Sequence, residues 1–330
     1  MADFTISDIA SELGVSKSTV SRVINGKGRI SENTRYRVQK WIKDHGYTPN
    51  PMARALAQNK TNNIAVVIPR DADKGDIPFF QKCLVGISET VAVFGYDTIL
   101  AIEDSIDISI LERLVRNHKV DGVILTRLNE DDETVKFLQR EKFPFVAIGT
   151  VKDNSICQVD SDQYSGCCEM TKSLIRKGYS RLFLIAGNKE HLVNQKRYQG
   201  FKKAYEECGL DISEVCVMWN MEKSENVLSC LPDIMKTNPQ CLVCMDDAIC
   251  TTVLMWLSLN DYQVPEDVQI VSLYDSPVME HNVPSITALS VNVAAMSRIA
   301  GTILIDKLEG KSVPLYNKVG YQLKIRKSSR

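Results

Sequence analysis

Histidine is scarce: four in 330 residues, at 45, 118, 191 and 281, too widely spaced for a zinc site or a His-Glu-x-x-His helix. Gly-x-Ser-x-Gly, the P-loop and Gly-x-Gly-x-x-Gly are also missing, which removes the usual signatures of serine hydrolases, P-loop nucleotidases and dinucleotide enzymes. No apolar run approaches the roughly 18 residues of a membrane span, and no charged segment leads into an apolar signal-like run. A cytoplasmic protein without a membrane partner is expected. With no secretory signal, the ten cysteines should remain thiols, most of them small core residues. The one Cys-x-x-Cys, Cys241 and Cys244, lies in an apolar strand-like run. Period two sends its thiols to opposite faces, away from a shared metal or disulfide. No cofactor is expected.

An excess of one charge is missing too, since the formal net charge is -1. Its distribution is uneven. Residues 1–60 carry ten Lys and Arg against five Asp and Glu, leaving the body acidic. A basic head on an acidic body presents one end to phosphates, where counterion release supplies affinity. A hydrophobic fraction of 44% with 25% charged residues describes globular material with ample core.

The head has helical spacing. Thr5, with Asp8 three positions on, reads as the cap of a helix with Ile6, Ile9, Ala10 and Leu13 on one face, ended by Gly14. Ser16 can cap a second helix that buries Val20, Val23 and Ile24 and leaves Lys17, Ser18, Ser21 and Arg22 outside. Two short helices joined by a glycine turn form a helix-turn-helix, whose second helix enters the major groove. Arg pairs bidentately with guanine, and Lys and hydroxyls reach bases or phosphates. Ser16, Thr19 and Asn25 are expected phosphate contacts, and Thr5, Ser21, Arg29, Ser31, Tyr47 and Ala53 complete the expected DNA-contacting set. A third helix, capped by Ser31 and stopped at His45-Gly46, has Tyr36, Val38, Trp41 and Ile42 as its apolar residues and completes a three-helix core. Then Pro49-Asn-Pro51 breaks the chain, 52–58 is a short helix-forming stretch and 59–63 a polar linker. So short a helix needs a partner to fold on.

These residues resemble the family of the lactose and purine repressors. The resemblance rests on Thr5-Ile-Ser-Asp-Ile-Ala10, Gly14-Val-Ser-Lys-Ser-Thr-Val-Ser-Arg-Val-Ile-Asn25, Gly46-Tyr-Thr-Pro-Asn50 and Ala53-Arg-Ala-Leu56. It implies that Lys17, Ser18 and Arg22 read bases, and that the hinge folds in the minor groove with Leu56 wedged between base pairs. The plain alternative for Leu56 is a leucine in a small core.

From Ile64 onward, apolar strand-like runs (64–69, 98–102, 122–126, 145–149, 181–186, 241–245 and 268–274) alternate with helical stretches (80–94, 108–118, 164–177, 195–208 and 294–309 among them). That is the pattern of doubly wound parallel sheets. About 270 residues suit two lobes better than one sheet. Ligands in such sheets bind beyond the carboxyl ends of the strands. The resemblance continues through Asp76-Ile-Pro-Phe-Phe80, Val120-Asp-Gly-Val-Ile124, Asp162-Gln-Tyr-Ser-Gly166, Arg197-Tyr-Gln-Gly-Phe201 and Tyr274-Asp275. It implies an effector held by Phe79, Thr126, Tyr164, Arg197, Trp219, Asp246 and Asp275, with Arg197 and Asp275 foremost. Three positions depart from the family pattern: Asp246 where Asn is usual, Leu273 where Gly is usual, and Val291 where Gln is frequent. An ionised carboxylate at 246 accepts but cannot donate hydrogen bonds and repels anions.

The expected fold is therefore an N-terminal all-α helix-turn-helix head with an α/β, two-lobed, periplasmic-binding-protein-like core. The head spans 1–48, hinge and linker 49–63, and the effector-binding and dimerisation core 64–330. The expected function is transcription regulation, as a repressor. Its partners would be double-stranded operator DNA, a small-molecule effector of the sugar class, and a second copy. No heptad tail follows Lys324, so the expected assembly is a dimer. Two alternatives share the body: a hydrolase using Asp246 and Asp247, and a sugar-binding protein of transport. Adjacent residues of a strand face opposite ways, which weakens the first, and the head argues against the second.

Overall fold

The computed structural model describes residues 4–24, 26, 28–47, 60–70, 78–103, 107–211 and 216–329. The chain separates into two compact units, Met1–Thr61 and Asn62–Arg330.

The first unit holds three helices, α1 (Ile6–Leu13), α2 (Lys17–Ile24) and α3 (Glu32–His45). Thr5 closes a capping box on α1: its hydroxyl oxygen accepts from the Asp8 amide at 3.4 Å, while an Asp8 carboxylate oxygen accepts from the Thr5 amide at 2.8 Å. Gly14, at φ 63°, ends that helix in the left-handed region that glycine enters without strain. The Ser16 oxygen accepts from the Thr19 amide at 3.1 Å and the Ser31 oxygen from the Thr34 amide at 3.3 Å, so both serines cap as expected. Ile9, Ala10, Val20, Val23, Val38 and Trp41 form the core. Tyr36 does not join them. It is 65% exposed, because two residues along a helix turn it about 200° from Val38.

The second unit is two-lobed. In the first lobe β1 (Asn63–Pro69), α4 (Pro78–Val93), β2 (Asp97–Glu103), α5 (Ser109–Arg116), β3 (Gly122–Leu125), α6 (Glu133–Arg140), β4 (Phe145–Ile148) and β5 (Gln158–Asp160) alternate. The second lobe follows with α7 (Gln163–Arg176), β6 (Leu182–Ile185), α8 (Leu192–Glu207), β7 (Cys216–Met218), α9 (Ser224–Lys236), β8 (Cys241–Cys244), α10 (Asp247–Leu259), β9 (Gln269–Ser272), α11 (Pro277–His281) and β10 (Thr287–Val291). The chain returns to the first lobe as α12 (Val293–Leu308) and β11 (Tyr316–Lys318), and ends in the second with β12 (Tyr321–Lys324).

Each lobe has a six-stranded sheet, ordered β11-β5-β4-β3-β1-β2 and β12-β10-β9-β8-β6-β7. Both are parallel except that β12 runs antiparallel to β10. The strands at the centre of each sheet are buried throughout, as parallel strands under helices on both faces must be. Helices α7 and α8 approach so closely that a Cβ on Gly200 would lie 2.1 Å from the Tyr164 carbonyl oxygen, a contact only glycine allows. Side chains of the second lobe reach into the first, Leu192, Tyr274 and Val291 among them. Leu192 packs with Val123, Leu125 and Leu128, and Tyr274 with Phe80, Cys83 and Ile148. Between them, the Leu192 amide donates to the Leu128 carbonyl at 3.2 Å and the Glu130 amide to the Glu190 carbonyl at 3.0 Å.

Candidate nucleic-acid interface and effector cleft

On α2, burial of Val20 and Val23 leaves Lys17, Ser18 and Arg22 exposed, with Thr19 and Ser21 half-buried beside them. Ser16 is a hub of hydroxyls, 2.8 Å from both the Ser18 and the Thr19 side-chain oxygens. The aliphatic stem of Arg22 lies over Gly28, where an added Cβ would stand 3.3 Å from its Cδ. The guanidinium is thus directed by a bare turn. Arg29 is exposed and Tyr47 half-buried against the head's core. The Thr5 and Ser31 hydroxyls serve as caps, and the Thr5 hydroxyl holds the Asp8 carboxyl below its ordinary range. Asn25, Ala53 and Leu56, with the rest of 48–59, lie outside the described residues.

In the second unit Arg197 projects from α8 and is 7% exposed. Its Nε donates to Gln163 Oε1 at 2.9 Å and its Nη1 to the Met245 carbonyl at 2.7 Å. Gln163 is in turn fixed by donating to the Ser161 hydroxyl at 2.7 Å. The buried charge is thereby oriented by groups at the start of α7 and just past the end of β8. Asp246 caps α10, accepting from the Ile249 amide at 2.8 Å. Burial raises its carboxyl above the ordinary range, against the pull of that amide and of Arg197. Asp247 is 4% exposed. Burial pushes it up to about 6, with Asp246 adding to the rise while the Ser276 hydroxyl and Arg197 oppose it. Both carboxylates therefore lie within the field of one guanidinium. The alternation expected for adjacent strand residues stops applying here, because the strand ends at Cys244 and the two residues begin a helix.

Asp275 is differently engaged: Arg326, beyond β12, donates to both its oxygens at 2.6 and 3.1 Å. Thr126, at the end of β3, is 3% exposed and its hydroxyl donates to the Val67 carbonyl at 2.7 Å. Phe79, on α4, stands edge-on to the Tyr274 ring at 6.1 Å. Trp219 follows β7 and meets Tyr198 edge-on at 5.3 Å within its own lobe, and Tyr164, at the start of α7, is 37% exposed. The structure thus gathers Arg197, Asp246 and, through Tyr274, Phe79. The partners of Thr126, Trp219 and Asp275 are other groups of the core, Val67, Tyr198 and Arg326. Asp247, Gln163 and Arg326 were outside the expected set. Asp247 stands beside an expected residue in sequence, whereas no local signal marks Gln163 or Arg326.

Among the described residues no cluster of His, Cys, Asp and Glu could hold a metal ion, and no helix is long and apolar enough to cross a membrane. The described cysteines are free thiols, and burial raises Cys241 and Cys244 above the ordinary thiol range.

A helix-turn-helix with an outward basic face, in one chain with a two-lobed ligand-binding core, defines a DNA-binding transcription regulator with effector-controlled activity. Residues 5–50 match the model of bacterial regulatory proteins of the lacI family, and 61–300 that of periplasmic binding proteins and the sugar binding domain of the LacI family. The chain belongs to the LacI family. It is 29% identical over 315 residues to the HTH-type transcriptional regulator CelR of Thermobifida fusca, covering 93% of each chain. To the regulator MalR of Streptococcus pneumoniae it is 36% identical over 203 residues, 61% of this chain and 62% of that one. A solved CelR–cellobiose complex superposes with a TM-score of 0.74 at 27% identity, covering 98% of this chain and 99% of the other. These relatives are regulators, and the chain is a regulator rather than an enzyme.

Proposed function

We propose that this regulator is a homodimeric repressor whose affinity for double-stranded operator DNA is set by a sugar in the cleft of the core. The head would comprise 1–48, the hinge and linker 49–63 and the effector-binding core 64–330. Lys17, Ser18 and Arg22 read bases in this scheme, with Ser16, Thr19, Ser21, Asn25, Arg29 and Tyr47 around them and Leu56 as the minor-groove wedge. The effector is assigned to Phe79, Thr126, Tyr164, Arg197, Trp219, Asp246 and Asp275.

The observation that carries the sugar assignment is Arg197, a buried guanidinium anchored by Gln163 and the Met245 carbonyl and facing Asp246 and Asp247. Fixed donors and acceptors side by side suit an uncharged molecule rich in hydroxyls. The bound cellobiose of the CelR relative supports the same class. Support for a second copy comes from apolar side chains left outside: Val93 is 82% exposed, and Leu100 and Ile102 stand exposed on β2, the last strand of its sheet. Such surface favours burial in an interface.

Thermal melting of the full chain with cellobiose, maltose and ribose tests the effector class. A bound sugar stabilises by about 2.7 kcal/mol at a hundredfold excess over its Kd. No shift with any of the three, in protein that still binds DNA, would reject the sugar.

A further inference from the structure

Asn129, in the loop after β3, and His191, in the loop after β6, form an isolated antiparallel bridge that joins the two lobes. Across it run the Leu192-to-Leu128 and Glu130-to-Glu190 main-chain bonds, at 3.2 and 3.0 Å. Each loop is held in shape by its own lobe. The Asn129 amide donates to Asp132 at 3.1 Å, and Asp132 also caps α6. Opposite, the Glu190 amide donates to the Asn188 side chain at 2.8 Å and the Lys189 amide to that of Asn220 at 3.2 Å. Side chains then cross between the lobes. Gln195 Nε2 donates to Glu130 Oε2 at 2.9 Å, while Lys152 pairs with the other Glu130 oxygen. Lys152, then Gln195, holds the Glu130 carboxyl below its ordinary range. Leu192 is buried with Val123, Leu125 and Leu128 of the first lobe.

Both loops leave the carboxyl ends of their strands, the side on which open α/β sheets bind ligands. Leu192 is also the first residue of α8, the helix that carries Arg197. The first amides of a helix have no acceptor within it, so the bond of the Leu192 amide exists only while the lobes are joined. We propose that this strap is a gate, opening as a unit to admit or release the effector and then reclosing. Glu130 is its positioning residue, tying Lys152 of the first lobe to Gln195 of the second. Opening breaks two main-chain bonds and uncovers Leu192 in the same event, as a small cooperative unit does. The gate rests on the effector-binding cleft, and the kinetic arm of its test on the sugar reading above.

Hydrogen exchange of the Leu192 amide in the full chain reports the gate without any ligand. The amide should be protected in the native protein. Glu130→Ala should speed its exchange about 3- to 10-fold, the worth of one net hydrogen bond, while the amide of Leu184 in β6 keeps its native rate. Glu130→Gln, which retains an acceptor for Gln195, should recover part of the protection. In stopped-flow binding of cellobiose, maltose and ribose, Glu130→Ala should accelerate entry and release together, so that Kd moves less than either rate. An unprotected Leu192 amide, exchange unchanged in Glu130→Ala, or acceleration shared by Leu184 overturns the gate. So does faster exchange with native sugar kinetics, or with release alone accelerated, the mark of a residue that only touches the sugar. If the native protein binds none of the three sugars, the sugar reading falls, and exchange at Leu192 still decides the gate.

Discussion

The recognition helix of the head and the polar residues of the cleft use similar side chains in opposite ways. On α2, Lys17, Ser18 and Arg22 are exposed, the Ser18 hydroxyl paired with that of Ser16 at 2.8 Å; under the proposed reading the two basic groups are left for DNA. In the cleft, Arg197 donates to Gln163 and Met245, Thr126 to Val67, and Arg326 grips Asp275. Those groups are already engaged with the chain itself. A residue that serves only a partner can be replaced at little cost to folding. One that also satisfies its own fold cannot.

The sharpest way to break that contrast is Arg326→Met. The pair it forms with Asp275 is largely buried, with side-chain exposures of 14% and 11%. Removing the guanidinium leaves a buried carboxylate without its partner, and losses of about 3–5 kcal/mol are typical of such changes. Urea denaturation of the sugar-free protein should show a midpoint lowered accordingly. An unchanged midpoint would mean that Asp275 is as free as Arg22, and the distinction between head and cleft would fail.

The same contrast explains what the sequence disclosed. The head was legible to its caps: Thr5, Gly14, Ser16, Ser31 and Gly46 stand where the helices begin and end, because capping is a local interaction between neighbours in the chain. The longer strands and helices of the body followed from unbroken apolar runs and helical spacing. β5, β7 and β11 are three residues each, too short for a period to register, and β12 alternates half-buried with exposed residues on a sheet edge. The pairing of Asp275 with Arg326 spans 51 residues and depends on the chain's return into the second lobe, which no spacing encodes. Tyr36 is apolar in composition yet exposed, because its angle on α3 lies about 200° from that of Val38.

A smaller effect comes from Asp247. Its folded carboxyl is raised to about 6, above the roughly 3.9 of an unfolded chain, so between those values the folded state holds more protons. Stability contributed by this group is therefore full below the lower value and is lost as pH rises through the upper one. Asp247→Asn should be more stable than native at pH 7, by up to about 3 kcal/mol, with the gap closing as pH falls toward 4. Melting curves at pH 4.5 and pH 7 decide this. A gap independent of pH would mean that the carboxylate binds its proton alike in the folded and unfolded chain.

The finest probe is Arg22→Ala. Arg22 lies exposed over Gly28, so its loss should leave the melting temperature nearly unchanged, as surface substitutions do. If it reads a base, operator affinity falls by about 1–3 kcal/mol and the preference at one operator position relaxes. A loss equal across all sequences would instead make it a phosphate contact and flatten the salt dependence by about one charge. Affinities for a set of single-base operator variants at two salt concentrations separate the outcomes. A destabilised head would show that even this residue is engaged with its own fold, through the stem that lies over Gly28. In that case the division between partner-serving and fold-serving residues would run through α2 itself rather than between the two units.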